Sequence, residues 1–274
     1  MTAPPGPALG RAPVRLLVPA VLAVGFLVVP MAALLLRVPW TELVGRMLEP
    51  EVLDALRLSL VTSLAAVAVV TAVGIPLSWL LARVEFPGRS LLRALVIVPL
   101  VLPPVVAGVA LLSAFGRRGL LGGPLHDVFG VTLPFTTLAV VIAHAYVSLP
   151  FFVLSVEGAM RATDREYDVA AATLGAGRWT TFVRVTLPLA GPGVLAGLVL
   201  SWARALGEFG ATITFAGNYP GTTRTMPNAI YVALQSDQEA AVVLSVILIA
   251  VSVAALALMR ERWFDQALQG AAPR

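Results

Sequence analysis

The sequence has 274 residues, of which 58% are hydrophobic and 12% charged, and its formal net charge is +4. This balance lies far from that of soluble domains, so the composition indicates an integral membrane protein whose positive charge anchors it in the membrane and does not bind nucleic acid. The absence of cysteine excludes disulfides, thiolate metal sites and cysteine nucleophiles.

Six apolar stretches are long enough to cross roughly 30 Å of hydrocarbon as helices. Before them, the proline- and glycine-rich residues 1–13 predict a disordered tail. The first stretch follows Arg11 and Arg15, as in a signal peptide, but its length and the lack of a cleavage site predict an uncleaved helix. The predicted spans are 16–36, 58–82, 94–114, 137–156, 189–215 and 240–259.

These spans predict an all-α membrane protein with about six transmembrane helices. All basic residues are arginine, and most of them fall in the loops that are cytoplasmic if the amino terminus is inside. The positive-inside rule therefore predicts that both termini are cytoplasmic. We divide the chain into the tail 1–13, a first span and outer loop over 14–55, a transmembrane domain over 56–259 and a cytoplasmic tail over 260–274.

Residues 163–188 form a charged loop with glycine corners between the fourth and fifth predicted spans. Thr163 and Glu166 have the spacing of a capping box, which predicts a helix start. Gly175 and Gly177 predict a left-handed helix end and a sharp corner, and Pro188 marks the turn into the fifth span. We interpret this 163–188 loop as a surface that binds another protein; an amphipathic helix lying on the bilayer is the alternative.

The 163–188 loop resembles the cytoplasmic coupling loop of ABC importer permeases. Ala170, Ala171 and Gly175 occur at that family's spacing, and an aliphatic-x-Leu-Pro ending follows. Val169 occupies the position of the family's leading glutamate, which places Asp168 one residue early. The ATPase-coupling residues that the resemblance implies are Asp168, Val169, Ala170, Ala171, Gly175, Ala176, Gly177, Leu187 and Pro188.

The resemblance implies a type I importer permease fold, a multi-pass location in the cytoplasmic membrane of a prokaryote, and lipid around the spans. It also implies three protein partners: ABC ATPase subunits, an extracytoplasmic binding protein and a second copy of this chain. Because the sequence has no lysine, it cannot form an ATP-binding P-loop. ATP would be used by the partner subunit, and we expect no cofactor in this chain and no enzymatic activity.

Residues 203–212 (ARALGEFGAT) resemble the signature of molybdate and sulfate permeases. The continuation over 213–218 (ITFAGN) and 223–225 (TRT) is more similar to the molybdate branch, and the resemblance covers roughly 56–259. It implies a molybdate permease whose binding protein binds molybdate, with sulfate or tungstate as alternative substrates.

Arg204 and Glu208 lie four residues apart, so a helix places them on one face. Either charge alone would cost about 3 kcal/mol at the bilayer centre, so we expect the two side chains to pair or to face a watery cavity. In a pathway role Arg204 would favour oxyanions; we give slight preference to a structural ion pair. Ser201, Thr212 and Thr214 are further pathway candidates, with local hydrogen bonds as the alternative.

The loops 115–132 and 217–238 are the predicted outer surfaces for the binding protein. Five residues of the second loop are the candidate contacts, and ordinary turn chemistry is the alternative. They are Gly221, Thr222, Thr223, Arg224 and Thr225. In the third span, Pro99, Pro103 and Pro104 predict a kink, which could also form a gate.

The sequence also raises two other functional classes, an intramembrane hydrolase and a secondary transporter. His144 and Ser148 lie four residues apart, which raises an intramembrane serine hydrolase, but spacing alone supplies no oxyanion hole, and we favour a satisfied buried pair. A secondary transporter needs an intramembrane acid, and the arginine partner of Glu208 makes it a poor proton carrier. With only two histidines, we expect no metal site.

Overall fold

Helices and the turns between them make up the described chain. The computed structural model describes the backbone of residues 14–270 and the side chains of residues 15–255 and Ala257. Within that range it contains no strand, and the predicted all-α class is confirmed. The helices are α1 (Val14–Leu36), α2 (Trp40–Met47), α3 (Pro50–Arg83), α4 (Arg89–Val101), α5 (Pro104–Phe115), α6 (Gly122–Phe129), α7 (Thr137–Ala162), α8 (Glu166–Thr173), α9 (Arg178–Thr181), a π-helical turn (Phe182–Thr186), α10 (Leu187–Leu189), α11 (Gly191–Leu206), α12 (Gly210–Phe215), α13 (Met226–Ser236) and α14 (Gln238–Gly270).

Four of these helices, α1, α3, α7 and α14, are long and apolar enough to cross a membrane unbroken. The predicted third span is not one helix, because α4 and α5 meet at 118°. Pro103 and Pro104 lack the N–H groups that would continue the helix, and Leu102 before them is extended. The number six is recovered only if each bent helix pair is counted as one span.

The predicted fifth span is also broken. The stretch Arg178–Leu189 meets α11 at 70°, and α11 itself ends at Leu206. After a short turn the chain restarts as α12. The single helix over 189–215 was therefore a wrong prediction, since the glycine-flanked residues 207–210 interrupt the apolar run.

Other element boundaries also differ from the prediction. Helix α3 begins at Pro50, ahead of the predicted second span, and α14 continues to Gly270, beyond the predicted end of the sixth span. The predicted outer loops contain α6 and α13. The predicted tail 1–13 and the last residues, 271–274, lie outside the described residues.

Helix α7 lies at the centre of the fold and packs against α3, α11 and α12. Along the half of α7 that leads to the 163–188 loop, its buried residues Phe152, Val156 and Met160 form one cluster with Val70 and Ala82 of α3. Towards the opposite end, other buried residues of α7 form a second cluster with α5 and α12. That cluster contains Ala107, Leu111, Ala139, Val140, Ala143, Val147, Ala211, Phe215 and Ala216. Helix α7 thus connects both broken elements to α3.

Close packing at glycines holds these helices together. Apolar side chains can face lipid without loss, so helices associate in a bilayer through contact and small residues. A Cβ atom added at Gly108 of α5 would lie 2.5 Å from Thr214 Cβ and 3.1 Å from Ala211 Cα of α12. At Gly74 of α3 it would lie 2.6 Å from Phe152 Cδ1. These two interfaces therefore require glycine.

Gly108→Leu is expected to destabilise the protein by at least about 1–3 kcal/mol, because the added side chain must push α5 away from α12. The thermal unfolding midpoint of the purified chain in detergent measures this effect. Gly25→Leu in α1 is the matched control, since a Cβ atom there meets nothing within 4 Å. Equal midpoints for the two variants would contradict the close packing of α5 and α12.

Helix α1 stands apart from this core. None of its apolar window is buried within the chain, and it contacts α14 at few positions. Its faces are therefore available to lipid or to another protein chain.

Candidate functional site

The predicted functional residues lie in three parts of the structure: the 163–188 loop, the break between α11 and α12, and the turn before α13. In the loop, α8 begins at Glu166, but the predicted capping box is wrong. Thr163 ends α7, and its hydroxyl donates to the carbonyl of Ala159 at 3.1 Å. Asp164 Oδ1 instead accepts from the N–H of Glu166 at 3.0 Å.

The corner after α8 has the predicted left-handed glycine at one of two positions. Gly175 has φ +84°, and the N–H of Ala176 donates to the carbonyl of Ala171 at 3.0 Å, as in a Schellman motif. Gly177 is extended, with φ −67° and ψ 160°, so the left-handed helix end comes from Gly175 alone. The extended Gly177 turns the chain into α9.

Most of the predicted coupling residues are uncovered. Val169, Ala170, Gly175, Gly177 and Pro188 are exposed, and Ala171, Ala176 and Leu187 are half-buried. Three larger apolar side chains continue this surface: Leu174, Trp179 and Tyr167. An exposed apolar patch of this kind marks a contact with a protein or a membrane.

Asp168 differs from these residues, because its carboxylate points into the molecule. Its Oδ2 lies 3.2 Å from Nε of Arg83, at the end of α3, and its Oδ1 accepts from Thr186 Oγ1 at 2.9 Å. Arg83 also donates from Nη2 to the carbonyl of Thr163 at 3.2 Å. Asp168 therefore fixes α8 to α3 and to the π-helical turn. Arg83 could not be predicted as a site residue from the sequence, because its partners lie about 80 residues further along the chain.

Arg204 and Glu208 form the predicted ion pair at the break between α11 and α12. Arg204 Nη1 lies 2.5 Å from Glu208 Oε2, and only 1% of the Glu208 side chain is exposed. Glu208 Oε1 accepts from the N–H of Ala211 at 2.7 Å, so the same carboxylate caps α12. The Arg204 side chain is 29% exposed. Arg204 is thus held by Glu208 but reaches the surface of the chain.

The three candidate hydroxyl groups near this pair form either a local hydrogen bond or no hydrogen bond among the described residues. Ser201 Oγ donates to the carbonyl of Leu198 at 3.1 Å, and Thr214 Oγ1 donates to the carbonyl of Gly210 at 2.8 Å. Thr212 is fully buried, and its hydroxyl has no hydrogen-bond partner among the described residues. Local hydrogen bonds therefore account for Ser201 and Thr214, whereas Thr212 keeps a free hydroxyl.

His144 and Ser148 do not form the predicted side-chain pair. Ser148 Oγ donates to the backbone carbonyl of His144 at 2.6 Å, and within the described part of the chain both ring nitrogens of His144 lack a partner. Ser148 is therefore not activated by His144, as a hydrolase would require. Across the described residues, no group of acidic and histidine side chains is arranged to hold a metal ion.

The turn before α13 exposes only part of its predicted contact set. Gly221 and Thr222 are exposed and Arg224 is half-buried, whereas Thr223 and Thr225 are fully buried. Thr223 Oγ1 accepts from the N–H of Tyr219 at 2.9 Å, which shapes the turn. Thr223 therefore stabilises the turn from inside, and neither Thr223 nor Thr225 contributes to its surface.

A charged cluster lies beside this turn, between α2 and α14. Arg46 lies 2.8 Å from Asp237 and 3.0 Å from Glu42. The N–H of Ala240 and the Arg46 guanidinium lower the pKa of Asp237, and these two carboxylates raise the pKa of Arg46. Asp237 therefore remains ionised through the neutral pH range.

Comparison with known proteins identifies the family. Residues 74–269 match the family of binding-protein-dependent transport system inner membrane components. The molybdenum transport system permease protein ModB of Mycobacterium tuberculosis is 47% identical over 85% of this chain and 88% of its own length. The sulfate transport system permease protein CysT of Escherichia coli is 36% identical over 82% of this chain and 83% of its own length.

A solved structure confirms the fold. The crystal structure of a bacterial ABC transporter involved in the import of the acidic polysaccharide alginate superposes with a TM-score of 0.75 at 16% identity. The match covers 92% of this chain and 94% of that one. The predicted importer permease fold is thus confirmed, and the names of the relatives favour a transport subunit over a hydrolase. The chain belongs to the family of binding-protein-dependent transport system inner membrane components.

Proposed function

We propose that this chain is the permease of an ATP-driven molybdate importer in the cytoplasmic membrane of a prokaryote. The uncovered 163–188 loop, tied to α3 through Asp168 and Arg83, is the observation that carries the importer function. The substrate follows from the relatives, since identity is higher to a molybdenum permease than to a sulfate permease. Sulfate and tungstate are the alternative substrates.

In this function the 163–188 loop faces the cytoplasm and seats an ABC ATPase subunit. The exposed side chains of Val169, Leu174 and Trp179 supply apolar contact surface for that subunit. Asp168 passes the movement of α8 to the end of α3, and the continuous stretch from α9 to α10 passes it towards α11. Both termini would then be cytoplasmic.

Two copies of the chain would form the pathway and alternate between inward-open and outward-open states. ATP binding must favour the outward-open state by about 5 kcal/mol to convert a mostly inward population into a mostly outward one. A binding protein loaded with molybdate would dock at the opposite end, on a surface that includes Gly221, Thr222 and Arg224. The position of Arg204 favours an anion as the substrate, because its partly exposed guanidinium lies at the break between α11 and α12.

The test is ATP hydrolysis by the chain reconstituted in liposomes with its ATPase and binding protein. We expect stimulation by binding protein loaded with molybdate and none by binding protein loaded with sulfate. Equal stimulation by both would reject molybdate specificity while retaining the importer. Failure to recruit an ATPase would reject the proposed function.

Gly175 allows a sharper test of the loop. Gly175→Val is expected to lower transport about tenfold, because a β-branched residue disfavours the left-handed conformation by roughly 1–2 kcal/mol and displaces the corner. Gly175→Asn is the control, since asparagine tolerates this conformation. A Cβ atom here meets nothing within 4 Å in the chain, so the valine variant adds backbone strain at the corner but no steric clash. Molybdate uptake equal to that of the unmodified protein in the valine variant would argue against the coupling role.

A further inference from the structure

A recess rich in arginine lies at the start of the 163–188 loop, apart from the exposed apolar side chains of Val169, Leu174 and Trp179. It is bounded by the end of α3, the start of α4 and the end of α7, and its volume is about 640 Å³. Four arginines line it, together with Thr163 and Asp164. These arginines are Arg83, Arg89, Arg161 and Arg165.

Backbone carbonyls at the end of α3 hold three of these guanidinium groups in place. Arg89 donates to the carbonyl of Leu81 from Nε at 2.9 Å and from Nη2 at 2.5 Å, and Arg161 Nη2 donates to the same oxygen at 3.2 Å. Arg165 Nη2 donates to the carbonyl of Ala82 at 3.4 Å. The carboxyl end of a helix carries partial negative charge, which attracts arginine. The three arginines are thus held close together by backbone carbonyls and not by acidic side chains alone.

Acidic partners neutralise this cluster only in part. Arg161 pairs with Glu157 at 2.9 Å, and Arg165 lies 3.8 Å from the exposed Glu85. Among the described residues, Arg89 has no acidic side chain within 4 Å. Within the recess itself, the single acid is Asp164, whose Oδ1 is engaged by a backbone N–H.

Arg83 is the buried wall of the recess. Its side chain is 7% exposed, and its Nε, although 3.2 Å from Asp168 Oδ2, lacks the alignment of a hydrogen bond. The Nη1 groups of Arg83, Arg89 and Arg161 donate to no acceptor in the described chain. The recess therefore offers several unused N–H donors, and Arg89 is the one of its four arginines that has no acidic partner among the described residues.

We propose that this recess binds a phosphate group, supplied by the headgroup of an anionic phospholipid. Guanidinium groups match phosphate oxygens through paired N–H donors. Basic pockets between transmembrane helices on the cytoplasmic side bind anionic headgroups. Leu91 and Leu95, 64% and 58% exposed, lie one turn apart on α4, on the side of the helix away from Arg89. An acyl chain lying along this apolar surface would place its headgroup at the start of α4, which favours a lipid over free phosphate.

The bound phosphate would bridge α3, α4 and α7 next to Arg83, the residue that holds α8 through Asp168. The bound lipid would thus hold the ends of α3, α4 and α7 together at the point where α8 is attached to α3. The proposal rests on the proposed function only for orientation, because the recess must face the cytoplasmic leaflet to meet its anionic lipids.

The test is lipid binding to the purified, delipidated chain in detergent, without ATPase or substrate. Short-chain phosphatidylglycerol, phosphatidylcholine of the same chain length and inorganic phosphate are titrated separately. Native mass spectrometry counts the adducts, and the shift of the thermal midpoint gives the affinity. We expect saturable binding of phosphatidylglycerol and much weaker binding of the other two ligands.

Arg89→Gln is expected to weaken phosphatidylglycerol binding about tenfold, the loss of one charge-assisted hydrogen bond. Arg165→Gln, at a side chain that is 56% exposed, supplies a second variant if Arg89→Gln does not fold. Arg184→Gln removes the same charge from an exposed position outside the recess and should leave binding unchanged.

Three results would overturn the proposal. Equal weakening by Arg89→Gln and Arg184→Gln would show that the lipid responds to overall charge. Binding of inorganic phosphate as tight as that of phosphatidylglycerol would reject the lipid as the source, and absence of both would reject the site. Because no ATPase or binding protein is present, these results are independent of whether the chain imports molybdate.

Discussion

Glu208→Ala is expected to destabilise the protein by about 3 kcal/mol, near the lower end of the range for breaking a buried ion pair. The variant leaves Arg204 without its partner, and the 29% exposure of Arg204 limits the cost. It also removes the acceptor for the N–H of Ala211, which caps α12. The thermal midpoint in detergent and the yield of monodisperse protein measure the loss.

Glu208→Gln separates the two contributions. Its amide oxygen can still accept from Ala211, so only the charge is lost, and the destabilisation should be smaller than in the alanine variant. An alanine variant as stable as the unmodified protein would contradict the structural role of the pair.

The double variant Arg204→Gln, Glu208→Gln tests the pathway role of Arg204. It removes both charges but keeps the cap of α12, so we expect a folded protein. Exchanging the two charges would be less informative, because arginine cannot accept the Ala211 N–H. Normal assembly with lost molybdate uptake would support a role of Arg204 in the pathway. Normal uptake would show that the pair has only a structural role.

Asp168→Asn is expected to reduce the molybdate transported per ATP hydrolysed by about tenfold, while ATP hydrolysis by the complex continues. The substitution removes the charge that pairs with Arg83, and an interaction of a charged group is worth about 1.5–3 kcal/mol. Helix α8 can then move with the ATPase without carrying α3 along. Uptake and phosphate release measured on the same proteoliposomes give the ratio.

Glu166→Gln is the matched control for Asp168→Asn. It makes the same charge change on the same helix, but the Glu166 side chain is exposed and forms no ion pair with the described residues. Its transport ratio should equal that of the unmodified protein. If both variants lower the ratio equally, then Asp168 acts through surface charge and not as the internal anchor of α8.

Some features of the site could be predicted from the sequence because their causes are local. Gly175 adopts φ +84° at the end of α8, as a glycine after a helix is expected to do. Arg204 and Glu208 pair because a helix brings residues four apart together. The bend before Pro104 follows from the proline rings alone.

Other features were predicted wrongly because residue spacing does not show which backbone group a side chain will bond to, or whether a turn residue is buried. Thr163 has the spacing of a capping residue, but it ends α7 and bonds back to Ala159 instead. His144 and Ser148 share a helix face, yet the serine hydroxyl is satisfied by the backbone. Thr223 and Thr225 were predicted to lie on the surface of their turn, but both are buried.

The sequence by itself determined the membrane class, the approximate number of spans, the position of the 163–188 loop and the resemblance to importer permeases. These depend on composition, on apolar run length and on residue spacing, which are all readable along the chain. Only the tertiary structure decided that Asp168 faces inward to Arg83, and that four arginines meet at the end of α3. Such groupings form where α3, α4 and α7 converge, and the packing of helices distant in sequence determines that geometry.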